Sequence, residues 1–199
     1  MGVPHEIIAA PFDVYLGPVG ETMPAIDAVP GGNWVKLGTS GKKSYSEDGV
    51  TVEHSQEIEQ VFTLGRTGPV KAFRTKEGLR IKVTVLDLTL ERYRRLLNDV
   101  SITTTAAGSG TAGHKAIPLT RGLDVQTLAL LVRGDVSPDG ASWKSQYEVP
   151  TVYVDGSPEV VLKKGEPAGL AFEFVALEDT SASSGQEFGN LRVQHADPA

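Results

Sequence analysis

Glu57 and Glu59 stand two residues apart in the run from Val50 to Phe62. On an extended chain that spacing puts both on one face. Side-by-side carboxylates suit general acid/base chemistry, and they suit an acidic surface equally well. Gly108-Ser-Gly110-Thr-Ala-Gly113 has the G-x-G-x-x-G spacing of a dinucleotide-binding turn. Such a turn works where a strand precedes and a helix follows, because the helix N-terminus receives the pyrophosphate. Here the helical periodicity comes before the glycines and none follows, so a flexible loop is the expected reading. His5, His54, His114 and His195 have no second ligand-type residue at metal-site spacing, and each reads as an exposed polar residue. The chain has no cysteine, which excludes disulfides, thiol catalysis and cysteine-bound zinc and fits a reducing cytoplasm. It has no G-x-S-x-G elbow and no nucleophile with a base beside it. Neither a metal nor another cofactor is expected, and the chain reads as a non-enzyme.

The elements that carry these residues read as mainly β. Among 199 residues there are 22 glycines and 12 prolines, more than the average share of ~12% for the two together. That much punctuation suits short strands, turns and long loops. A net charge of -6 gives no basic surplus for holding nucleic acid by counterion release. No apolar run approaches the ~20 residues that span a membrane, and the first residues carry no basic stretch of the signal-peptide kind. One domain, residues 1–199, is expected.

Strands are expected at Phe12–Gly17, Trp34–Gly38, Val50–Phe62, Val70–Thr75, Leu79–Leu88, Val125–Arg133, Trp143–Asp155 (interrupted at Pro150), Val160–Lys163 and Ala168–Glu178. In Val50–Phe62, Thr51, Glu53, Ser55, Glu57 and Glu59 share a polar, acidic face. The other face is apolar only at its ends. So wet a strand suits a projecting hairpin, a wall facing water or an ordinary solvated edge. In the strand from Leu79, Leu79, Ile81, Val83 and Val85 point one way, and Arg80, Lys82 and Thr84 the other. Leu170, Phe172, Phe174 and Ala176 mark a core face.

A single helix is expected over Thr89–Asn98. Leu90, Tyr93, Leu96 and Leu97 form its packing stripe, Thr89 its N-cap, and Glu91 a favourable first-turn charge. Arg92, Arg94 and Arg95 read as a solvated face. Residues 100–119 are rich in Thr, Ala, Gly and Ser and read as a flexible loop. Residues 179–199 read as a C-terminal arm or frayed end. Trp34 and Trp143 read as core or interface anchors.

The order of these features resembles the tail tube (major tail) proteins of long-tailed bacteriophages. The resemblance rests on Asn33-Trp34-Val35-Lys36-Leu37-Gly38, on Asp48-Gly49-Val50, and on the block Pro69–Asp99, where Leu88-Thr89-Leu90-Glu91 feeds a helix ending near Asn98. It covers the first half of the chain well and the second only by strand content. The resemblance implies a β-sandwich or barrel with one flanking helix, long loops and terminal arms. Copies would assemble as hexameric rings, stacked through loops such as 18–33, 38–49 and 100–119. The lumen would conduct viral DNA without specific binding. Further partners would be the tail tip, tape-measure and terminator proteins, with no membrane. The place would be the virion tail, after assembly in the host cytoplasm. Thr51, Glu53, Ser55, Glu57, Glu59, Arg80, Lys82 and Thr84 are then the expected lumen-facing residues, and the glutamates would repel phosphates. The alternative is a monomeric β-sandwich binding module of the carbohydrate-binding or adhesion type.

Overall fold

The computed structural model describes residues 7–8, 10–140, 142–156, 159–160 and 162–198. In chain order the elements are β1 (Phe12–Gly17), β2 (Val35–Lys36), β3 (Tyr45–Val61), β4 (Lys71–Val85), α1 (Leu90–Leu96), β5 (Thr103–Thr105), β6 (His114–Ala116), β7 (Thr127–Gly134), β8 (Ser145–Asp155), β9 (Leu170–Ala176) and β10 (Asn190–Val193). All strand pairings are antiparallel. The main sheet runs β2-β1-β7-β8-β9-β4-β3, with β10 also on β8. The fold is thus mainly β with one helix, as expected.

Alternation in the sequence explains the core. Leu170, Phe172 and Phe174 of β9 pair across the ladder with Val85, Val83 and Ile81 of β4, and all six are buried. Leu128, Leu130 and Val132 of β7 join them, as do Val14 and Leu16 of β1. The two ends of the strand order therefore meet in one cluster, so the sheet is rolled around a single core rather than split into two stacked layers. Full burial of each such side chain contributes roughly 1.5–3 kcal/mol.

Pro150 does not interrupt β8. Leu128 faces Val152 while Leu130 faces Val149, so Pro150 and Thr151 together oppose Ala129. This bulge absorbs a proline that has no N–H for the ladder. It also lets Val149 and Val152, three residues apart, both point into the core.

Tyr45 ties the rolled sheet together. Its phenol donates to the Leu37 carbonyl (2.9 Å) and accepts from the Val14 amide (3.0 Å). It thereby joins the start of β3 to β1 and to the segment following β2. Burial pushes its pKa up, so it stays a neutral donor.

Several expectations are corrected. The strands expected at Val70–Thr75 and Leu79–Leu88 are one strand, β4, which begins at Lys71 and ends at Val85. The flexible loop 100–119 contains the β5–β6 hairpin, and its glycines form that hairpin's turn, with Gly108 bridged to Thr111. Lys163 and the described residues flanking it form no strand; Val161 lies outside the described residues. The C-terminal arm carries β10, paired to β8.

In α1, Leu96 and Leu97 are buried, while Leu90 and Tyr93 are half-buried. The Thr89 side chain makes no capping bond; its carbonyl accepts from the Arg92 and Tyr93 amides instead. The arginines are not a solvated face. Arg94 and Arg95 both pair with Asp99, and Arg92 reaches the Lys36 carbonyl. Asn98, in left-handed backbone, holds the next loop by donating to the Arg121 and Asp124 carbonyls and accepting from the Gln126 amide.

Replacing Tyr45 with Phe should lower unfolding free energy by about 1–2 kcal/mol, because the buried Val14 amide loses its acceptor. Urea denaturation measures this; an unchanged midpoint would show that the tether is not needed.

Candidate functional site

The feature that stands apart from the core is the β3–β4 ribbon. The rolled sheet uses only its base, where Val50 and Val52 pack against the core beside Leu79, Ile81, Val83 and Val85. Beyond that base, every residue from Glu53 to Glu77 is exposed. The two strands nevertheless stay in register out to the Val61–Lys71 pair, where the Val70 amide also bonds the Val61 carbonyl (2.8 Å). One irregularity interrupts them: Glu57 faces Lys76 and Ile58 faces Arg74, so Thr75 is an extra residue on β4.

Cross-strand partners share a face, so the register assigns sides. Thr51 faces Lys82, Glu53 faces Arg80, Ser55 faces Gly78 and Glu57 faces Lys76. This side looks away from the core. Thr51, Glu53, Ser55, Glu57, Glu59, Arg80, Lys82 and Thr84 therefore do lie together on one face. Glu173 of β9 adds to it as the partner of Lys82, and Asp155 of β8 as the partner of Glu173.

The face is not simply acidic. Lys82 bonds Glu53 at 2.8 Å, and Lys76 bonds Glu57 at 2.9 Å. Arg80 bridges Glu173 and Asp155. The Lys82 hydrogen bond holds the Glu53 carboxyl below its ordinary range, and the same bond raises the Lys82 ammonium. The Glu173 hydrogen bond raises Arg80 further. The expected acidic face is thus partly offset: Glu53 and Glu57 are paired with cations of β4, and Glu59 has no ion pair among the described residues. Such exposed pairs add little to stability. Their effect is to reduce the net field over the surface.

Apolar side chains gather toward the tip. Ile58, Val61, Phe62, Leu64, Val70 and Phe73 are all exposed, Leu64 completely. Ile58 lies on the core-side face and Phe73 on the charged face, under the Lys71 ammonium at 4.7 Å. The outer edge of β3 has no strand partner among the described residues, and β4 is paired to β9 on its other side only from Arg80 to Val85.

Of the other expected participants, His54, His114 and His195 are exposed, and His5 lies outside the described residues. Trp34 is a core anchor, donating to the Thr22 carbonyl and packing on Ala129 and Leu131. Trp143 bonds Asp197. Part of the loop 18–33 is held over the sheet, where buried Arg133 donates to the carbonyls of Ala25 and Ala28.

Asp155 and Glu173 escaped the sequence reading. Glu173 alternates with Phe172 and Phe174, which marks it as outward, but nothing in the sequence tells that β9 is the neighbour of β4. No family model matches the sequence, and no curated protein matches it.

The sign of the pairing gives a pH test. A depressed carboxyl keeps its pair above the ordinary carboxylate range and loses it as pH falls through the depressed value. Replacing Lys82 with Ala should move the Glu53 titration midpoint upward, toward an ordinary glutamate, when followed by NMR. An unmoved midpoint would contradict the pairing.

Proposed function

We propose that this chain is a structural subunit of a bacteriophage tail tube. It works by assembling into stacked hexameric rings whose lumen conducts viral DNA. The observation that carries this reading is the ribbon from Glu53 to Glu77: long, in register, exposed on both faces and unpaired along β3. A two-stranded ribbon is at best marginal in water by itself. An unpaired edge of this length is a template for another strand. Both features are accounted for if neighbouring copies supply the missing strand and close the ribbons into a barrel.

The paired charges fit a conducting wall. Strong cationic character would hold phosphates by counterion release, and strong anionic character would oppose their entry. Alternating pairs do neither, so DNA slides past without being bound. On this reading the partners are further copies of the chain and the tail tip, tape-measure and terminator proteins. The place of action is the virion tail, and the role is architectural rather than catalytic.

One observation favours the binding-module alternative. A cleft of about 440 Å³ lies between the ribbon and the segment 185–189, lined by His54, Gln56, Arg74, Glu77 and Phe188 among others.

Electron microscopy of the protein over a rising concentration series separates the two readings. Rings or tubes with a central channel are the expected result. A monomer by light scattering at every concentration would overturn the tube. Ile58→Asp and Phe73→Asp should each abolish assembly while leaving circular dichroism and melting temperature almost unchanged, because both side chains are about half exposed in the single copy.

A further inference from the structure

Besides β3, the sheet has a second place where another strand could add. β9 covers the edge of β8 only from Val152 to Asp155. The remaining part of that edge, Ser145–Glu148, is covered by β10. We propose that the C-terminal segment Gly189–Asp197 is an edge cap. It stays on its own chain and closes this edge, so that another copy cannot add there. The last clause rests on the assembly reading; the cap itself does not.

The cap is fastened along its length by side chains as well as by the ladder. Ser137 Oγ donates to the Gln194 carbonyl at 2.7 Å. The Gln194 amide donates to the Lys144 carbonyl, and its side-chain oxygen accepts from the Lys144 amide. Trp143 Nε1 donates to Asp197. Gly189 approaches β8 so closely that an added Cβ would lie 1.8 Å from the Glu148 carbonyl oxygen, and its φ of +98° is itself a glycine conformation.

Charge makes departure costly. Glu148 is only 3% exposed. One of its oxygens accepts from Gln146 Nε2, and the other lies 2.9 Å from Arg192 Nε on β10. If β10 left, a largely buried carboxylate would lose its cation. The cap's own outer edge is a poor template. It is four residues long, carries an exposed Arg and is followed by Pro198.

The chain has no cysteine, which makes the test clean. Ser145 and Val193 are direct partners, and antiparallel partners lie at a Cα separation a disulfide can span. The S145C/V193C double variant should oxidise within one chain and then assemble as the reduced protein does. S145C and V193C single variants, mixed and assembled together, should give no interchain link. A lock that blocks assembly, or an interchain disulfide, would overturn the cap. In the unassembled protein, Arg192→Ala should speed hydrogen exchange over Ser145–Glu148 by at least about tenfold, because local opening becomes easier. Adding Glu148→Gln should largely reverse this. Unchanged exchange in R192A would also overturn the cap. Failure of the full chain to form any multimer would defeat the assembly reading, and the exchange result would still decide the cap.

Discussion

Backbone N–H and C=O groups on a strand must bond to something, and along the outer edge of β3 the described residues offer them no strand partner. That constraint organises the molecule. The ladder between β3 and β4 is built far past the point where the core rewards it, so the ribbon's distal half is held mainly by its own cross-strand bonds. Pairs such as Glu57 with Lys76 fix side-chain positions without adding much stability. Apolar residues at the tip then cost solvation in the lone copy. A surface like this is unfavourable in a finished monomer and suits a component of something larger.

The rest of the fold reads as the platform for that ribbon. The rolled core anchors β4 through Ile81, Val83 and Val85 against β9. Tyr45 fixes where β3 starts. Elsewhere, buried Arg133 and Gln146 fold the 18–33 loop down onto β7 and β8. These polar groups are expensive to bury, and each is matched with a partner, so they specify one arrangement of loop and sheet. With that loop laid down and β10 in place, the ribbon is the largest part of the sheet left uncovered.

Much of this could be read from the sequence wherever one residue's environment is set by its own strand. Alternation located β1 to the residue, picked out Leu170, Phe172, Phe174 and Ala176 as core, and put Arg80 and Lys82 on the face away from Ile81 and Val83. The polarity of Glu53–Glu59 already pointed to a strand with little to bury. What could not be read depends on neighbours distant in sequence. Lys76-Glu77-Gly78 looks like a break between two strands, yet pairing with β3 carries β4 straight through it. Arg133, Gln146 and Glu148 look like surface residues until the 18–33 loop and β10 are laid over them. Asn190–Val193 is too short, in a Ser- and Gly-rich tail, to announce itself as a strand. The acidic face is partly offset because Lys76 and Lys82 come from the opposite strand, while Arg80 is taken up by Asp155 and Glu173.

Completion of the sheet between molecules is the central claim, and amide exchange along β3 addresses it most directly. Hydrogen exchange with residue resolution should be compared between dilute and concentrated protein over Glu53–Val61. The account predicts that those amides not bonded to β4 exchange freely in the dilute sample and become strongly protected on concentration. Protection identical in both samples would contradict it, because the edge would then be finished within one chain or never paired at all.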